Sequence, residues 1–357
     1  MVSTTTVTTN ILKGCTAGPP CRRSAIIVIR PLSLSRACRF LEHVVVQTPE
    51  RHRLYFPCHS WFGEADCGGR RGPLERNLLP VAPEDDLAAQ PVRLTVSGVA
   101  VPHPDKVKQD GAKGVNRKGF GHGGEDAYFY CVGQNNAVLG MGVADGVYMW
   151  RERGIDSGDF SRALMRLARD SVMAGNVDVV RVMQDAVSGA LAAGVQGSST
   201  ACIVLVNQDT GQLFAANLGD SGCLLLRPAA NDDPHAHAQL EHDFGRPYQL
   251  GHHPAADSVE MCHVATQSVR PGDVLVLGTD GLYDNLSDVE IADEVGACRA
   301  RGLGSMVIAQ RLARLAFEAS YDKYRSTPYA ASASEHFDMV YSGGKPDDIT
   351  VLCAVAV

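Results

Sequence analysis

From about residue 92 the chain reads as short apolar runs separated by glycine, aspartate and asparagine: VRLTVSGVAV, AYFYCV, AVLGMGVA, STACIVLVN, QLFAANLG, CLLLR, VLVLG and ITVLCAVAV. Runs of this length, rich in β-branched residues and bounded by turn formers, predict strands. The last run is apolar at nearly every position, the pattern of a central strand covered on both faces. Between the strands, apolar residues recur at helical spacing. Phe160, Ala163, Leu164, Leu167 and Ala168 make one face, and Val179, Met183, Val187, Ala190 and Leu191 a second. Ile308, Leu312, Leu315, Ala316 and Ala319 make a third. Strands come in blocks and helices in pairs, without βαβ alternation, so the expected fold class is α+β, an antiparallel layered sandwich.

The first quarter of the chain has a different texture. Residues 1–41 hold six Lys or Arg and no acid, amid many Ser and Thr, which suits an organelle transit peptide, with the mitochondrion ahead of plastid or cytoplasm. Residues 42–90 mix Pro, Gly, Arg and acids without periodicity and read as a poorly ordered linker, leaving 91–357 as one domain. The net charge of −7 therefore arises entirely from the region after residue 41. An acidic body repels a nucleic-acid backbone, so nucleic acid is not an expected partner. No apolar run approaches a membrane span. The eleven cysteines form no CxxC pair, and Cys202 and Cys353 sit inside apolar runs as core thiols.

Four segments share one design, an acid beside glycine or another acid at the edge of a strand-like run. They are GGEDAYF with Glu125 and Asp126, GVADGVYMW with Asp145 and Gly146, LGTDGLYDN with Asp280 and Asp284, and KPDDITV with Asp347 and Asp348. Singly, each is an ordinary turn or solvated strand edge, because Asp accepts local backbone bonds and Gly tolerates positive φ. Together, strands of one sheet can carry them to a common edge. Two unit charges ~4 Å apart repel by about 4 kcal/mol at an effective dielectric near 20, so convergence demands cations or raised pKa values. All-oxygen ligation favours Mg²⁺ or Mn²⁺ over Zn²⁺.

These motifs, in this order, with GSSTACIVLV from Gly197 and ANLGDSGCLLL from Ala216 between the second and third, resemble those of the type 2C, metal-dependent protein phosphatases. ADGV-x-x-W, GTDGLYDNL and GGKPDDITVL look closest to the mitochondrial 2C-like subgroup. The resemblance implies a central antiparallel β-sandwich flanked by helix pairs in four layers. It also implies two Mg²⁺ or Mn²⁺ ions, Asp145 bridging both, the Gly146 carbonyl on the second, and Asp280 and Asp347 on the first. Glu125 and Asp126 would act mainly through metal-bound waters, while Asp220 and Asp284, with Asp280, would hold a weaker third ion. A water shared by the metals would attack phosphorus in line, on phosphoserine or phosphothreonine proteins. Ser198, Ser199 and Thr200 are then packing and turn residues, not nucleophiles.

The match departs from the commonest family pattern at several positions. Gly121 stands where an arginine often grips phosphate; Arg117, Lys118 and His122 are the nearby substitutes. Val147 replaces a histidine proposed as proton donor, leaving His122 as candidate general acid. Tyr148 and Met149 replace small residues, and Asp348 stands where Asn is common. The alternative reading is a catalytically weak or inactive 2C-like binding or regulatory module. Residues 321–344, rich in Tyr, Ser and Ala, are a candidate substrate flap.

Overall fold

The computed structural model describes residues 91–133, 137–227 and 240–357, with the backbone of short strands at Ile27–Ile29, Arg39–Gln47, Arg53–Phe62, Arg76–Leu78 and His235–Ala236. The chain divides into two compact units, 1–89 and 90–357. In the first, Arg39–Gln47 pairs antiparallel with Arg53–Phe62, and Ile27–Ile29 with Arg76–Leu78. A two-stranded ribbon thus runs through part of the stretch expected as linker. Apart from Arg76–Leu78, the remainder of that stretch and most of the expected transit peptide lie outside the described residues.

The second unit is built on two antiparallel sheets. Its strands are β1 (Leu94–Val101), β2 (Val115–Arg117), β3 (Phe120–Gly123), β4 (Asp126–Val132), β5 (Val138–Asp145), β6 (Ala201–Asn207), β7 (Gln212–Leu218), β8 (Gly222–Leu226), β9 (His263–Ser268), β10 (Val274–Gly278) and β11 (Ile349–Ala356). One sheet has the order β9-β7-β6-β5-β4-β3-β2. The other runs β8-β10-β11-β1, with His235–Ala236 added beside β8.

Alternation along the strands divides the apolar side chains between layers. Ile203 and Leu205 of β6 point to one side and pack with Phe160, Leu164, Met165 and Met183, from α2 (Gly158–Met173) and α3 (Val179–Ala192). Cys202, Val204 and Val206 point to the other side, where they meet Leu352 and Ala354 of β11 between the sheets. The opposite face of β11, with Ile349, Val351 and Cys353, packs on Ile308, Leu312 and Ala316 of the helix Ser305–Tyr321. The four layers are therefore helix pair, sheet, sheet and helices, as expected. The expected helical faces are buried, or partly buried at Leu167, Val187 and Leu315, except at Leu191, which is exposed. The buried arc of its helix is centred on Val182, Met183 and Ala186, and at 100° per residue Leu191 falls outside it.

Candidate metal centre

Both sheets end their strands at one edge, and the acids stand there. Asp126 opens β4 and Asp145 closes β5, and the two are direct register partners. Cross-strand partners share a face, and this face looks toward the second sheet, as Tyr128 two residues on does. From that sheet, Thr279 donates its hydroxyl to Asp126 Oδ2 at 2.8 Å, and its Oγ1 accepts the Thr350 N–H at 3.1 Å. Asp280 begins a one-turn helix, Asp280–Tyr283, directly after β10, and Asp284 caps it. Asp347 and Asp348 precede β11.

Electrostatics shows how tightly these groups converge. Asp145 is held well above the usual carboxylate range by burial, then by repulsion from Asp280, Asp126, Asp347 and Asp220. Asp126 is raised by burial and by Asp348 and Asp280, and its Oδ1 is buried without a hydrogen-bond partner. Asp220 is raised by burial, Asp280 and Asp284. Asp284 is pushed up to about 7, with burial the largest cause.

Three basic side chains that the motif reading passed over stand among these acids. Lys106, from α1 (Pro104–Asp110), places Nζ 2.5 Å from Glu125 Oε2 and 2.6 Å from Asp348 Oδ2. Arg151 donates Nε–H to Glu125 Oε1 at 2.5 Å. Lys345 reaches Asp280 Oδ2 at 2.5 Å and Asp284 Oδ2 at 2.8 Å. With these cationic groups between the acids, the described residues contain no group of three carboxylate, His or Cys ligands already drawn to metal spacing. The donor set nevertheless fits a hard cation: it is all oxygen, mutually repelling, and includes the unpartnered Asp126 Oδ1.

Backbone geometry fixes the remaining parts. Gly124 has φ +61°, and a Cβ there would fall 2.1 Å from Asp348 Oδ2, so only glycine lets the β3–β4 turn lie against that carboxylate. Asp348 accepts from His103 N–H at 2.7 Å and Glu125 N–H at 2.9 Å, in addition to Lys106. An aspartate at this position thus neutralises a half-buried lysine, which an asparagine would not. Gly146 donates its N–H to the Glu125 carbonyl at 3.2 Å and leaves no room for a side chain against Ser157. Ser198 Oγ accepts from Trp150 Nε1 at 2.6 Å, and Thr200 Oγ1 accepts the Asp145 N–H at 3.1 Å. These hydroxyls hold the walls of the site.

Other residues singled out in the sequence stand elsewhere. Arg117 is the register partner of Phe120, three positions along β3 from Gly123, the partner of Asp126. That separation is about 10 Å along the strand. Lys118 is an exposed turn residue. His122 pairs with Ala127 and so lies on the helix-facing side, opposite to Asp126. Burial first, then Arg162 and Arg117, lower its pKa and keep the ring neutral. Tyr148 and Met149 are 55% and 70% exposed at the start of a 3₁₀ turn, Tyr148–Arg153, so they do not fill the cleft. Lys106 Nζ and the Arg151 guanidinium lie 5.2 and 5.3 Å from the centre of the Tyr148 ring.

Known proteins resemble this chain in sequence and in fold. The model of the Stage II sporulation protein E (SpoIIE) family matches residues 154–356. Protein phosphatase PTC7 homolog of Xenopus laevis is 34% identical over 260 residues, covering 69% of this chain and 86% of its own. The chain belongs to the type 2C protein phosphatase family. Probable protein phosphatase 2C 55 of Arabidopsis thaliana is 39% identical over 271 residues, 74% of this chain and 52% of its own, so the chain spans about half of that relative. Among solved structures, the photosystem II phosphatase PBCP superposes with a TM-score of 0.62 at 28% identity, covering 74% of this chain and 98% of its own. Family membership accounts for the ordered acid motifs and for the two stacked sheets that bring them together.

Proposed function

We propose that the chain is a Mg²⁺- or Mn²⁺-dependent protein phosphatase hydrolysing phosphoserine and phosphothreonine esters. The carrying observation is the convergence of Asp145 with Asp126, Asp280, Asp347 and Asp220, from both sheets, around a repulsion that a divalent cation relieves. Asp145, Asp280 and Asp347 with the Gly146 carbonyl would hold two ions, and Glu125 and Asp126 would order water around them. Two such ions, when bound, lower the pKa of water and neutralise charge on the phosphoryl oxygens.

The chain's own residues do the rest. Thr279 orients Asp126 through its hydroxyl, and Thr200 fixes the main chain of Asp145. Lys106 and Arg151 hold Glu125 from both sides and stand under the exposed Tyr148 ring at the mouth, where they supply the positive charge that Gly121 lacks. The leaving-group proton comes from solvent, because His122 faces the helices. The segment 321–344 forms the substrate-facing flap: Thr327 caps the helix Pro328–Phe337, and Tyr329 donates its N–H to the Asp284 carbonyl at 3.0 Å.

The test uses the metal-stripped full chain with an aryl phosphate and a phosphothreonine peptide, assayed with Mn²⁺, with EDTA, and as Asp145→Asn. Activity with Mn²⁺ that is lost in the other two conditions is expected. Activity surviving EDTA and the substitution would sink the two-metal reading, and a folded protein inactive throughout would be the binding module. Residues 1–41, with six Lys or Arg, no acid and many Ser and Thr, are proposed to direct the chain to mitochondria. A fusion of those residues to a fluorescent reporter that stays cytoplasmic or enters plastids would overturn that assignment.

A further inference from the structure

Lys345 differs from an ordinary surface lysine in how its main chain is held. Its N–H donates to Asn285 Oδ1 at 2.9 Å, and its carbonyl accepts from Asn285 Nδ2 at 2.9 Å. Asn285 is fully buried, and its Nδ2 also donates to the Gly281 carbonyl at 3.0 Å. One amide therefore ties Lys345 to the turn that carries Asp280 and Asp284. The preceding Gly344 runs so close to Ser320 that a Cβ would fall 2.4 Å from its Cα, which fixes the approach of this segment.

From that anchor the side chain reaches into the acids. Nζ lies 2.5 Å from Asp280 Oδ2, 2.8 Å from Asp284 Oδ2 and 3.6 Å from Asp347 Oδ2, and 5.9 Å from the centre of the Tyr329 ring. Its positive charge also acts on Asp220. Asp220, Asp280 and Asp284 are the three carboxylates that the family resemblance gives to a weaker third ion. A divalent ion there would need the same oxygens at roughly 2.0–2.5 Å. An ammonium in contact with two of them both takes those oxygens and repels a second cation.

We propose that Lys345 is a tethered cation standing in place of the third divalent ion, so that this chain takes up two divalent ions instead of three. The inference rests on the two-metal reading above. A covalently attached charge cannot dissociate, so neutralisation of Asp284 and the outer oxygen of Asp280 is independent of free metal concentration.

The test is equilibrium dialysis of the metal-stripped full chain against Mn²⁺ up to millimolar concentration, with bound manganese counted per chain. Wild type, Lys345→Met, Lys345→Arg and the double variant Lys345→Met with Asp284→Asn are compared, each first shown to be folded by circular dichroism. The wild type and Lys345→Arg are expected to saturate at two ions. Lys345→Met should gain a weaker third ion, which the double variant loses. A third ion in the wild type, or a count of two in Lys345→Met, would overturn the inference and leave the two-metal reading intact. A wild type that binds fewer than two ions would overturn that reading itself.

Discussion

Asp126 and Asp145 are register partners at the ends of adjacent antiparallel strands, with both carboxylates on the face that looks toward the second sheet. Like charges placed directly opposite in a sheet destabilise it, and here the repulsion is increased by Asp280, Asp347 and Asp220. Such an arrangement persists when it serves a site at the expense of the fold. Asp145→Asn should therefore raise the stability of the metal-free protein by about 1–2 kcal/mol while removing Mn²⁺-dependent hydrolysis. Urea unfolding in EDTA, set beside initial rates in Mn²⁺, checks both halves. A destabilised variant would mean that the repulsion is already relieved without metal.

The pairing of Asp348 with Lys106 carries a second prediction. Burial pushes Asp348 up to about 6, so at pH 7.5 it is ionised and balances the ammonium 2.6 Å away. Asp348→Asn keeps the shape and removes the charge, leaving Lys106 with Glu125 as its close partner. The expected loss is about 2 kcal/mol, below the usual cost of breaking a buried pair because Glu125 remains. Adding Lys106→Met to Asp348→Asn should recover part of that loss. Strictly additive effects in this double-mutant cycle would count against the pairing.

How much of this was legible in the sequence follows from what each signal depends on. The strand runs and two of the three helical faces are local patterns, and the structure keeps them. The acid motifs are also local, each at a strand end, and their convergence followed from assuming that strands share an edge. Lys106, Arg151 and Lys345 were not legible, because nothing in HPDKV or MWRER marks a basic residue as internal. Their partners lie far away in sequence, 242 residues for Lys106 with Asp348. Lys345 sits two residues before Asp347 inside a quoted motif, so the lysine itself was visible, but not the Asn285 clamp that aims it. Arg117 and His122 show the converse error. Despite their proximity in sequence to Asp126, Arg117 lies on β2 beside the far end of β3, and His122 lies on the helix-facing side of β3.

Arg151 offers a test of the phosphate grip. It holds Glu125 and stands beside Tyr148 at the mouth. Arg151→Gln should raise KM for a phosphopeptide about tenfold, the order expected for one lost charge-assisted bond of ~1.4 kcal/mol. The count of bound Mn²⁺ should stay unchanged. A fall in bound metal with KM unaltered would assign Arg151 to positioning Glu125 alone.

The cysteine thiols should be bystanders. Cys202 and Cys223 lie between the sheets and Cys353 under the helix Ser305–Tyr321. Burial pushes the Cys202 thiol up to about 12 and raises the other two. Thiolate is the reactive form, so these residues should resist iodoacetamide in the folded protein and react once it is unfolded. Mn²⁺-dependent hydrolysis should survive that treatment undiminished. Loss of activity coincident with modification of Cys202 or Cys353 would contradict a mechanism that needs no covalent phosphoenzyme.

The pH dependence of stability follows from the raised carboxylates. Asp284 at about 7 and Asp348 at about 6 both lie above the ordinary 3.8 of an aspartate. A group whose pKa is higher in the folded state stabilises the fold fully below its unfolded pKa, and that contribution is lost as pH rises through the folded value. Glu125 and His122 are lowered and act oppositely, Glu125 as pH falls toward and below 4.5 and His122 as pH falls below 6.5, so the window that isolates the raised acids is pH 5 to 8 in the His122→Gln background. Across it, the melting temperature of the metal-free protein should fall. Divalent ions bind the deprotonated acids, so Mn²⁺ affinity should rise over the same range and the melting temperature of the saturated protein should stay nearly level. The gap between the two curves widens with pH, and scanning calorimetry at matched ionic strength measures it. A gap that is constant from pH 5 to 8 would show that the clustered aspartates are ionised throughout and that metal displaces no protons from them.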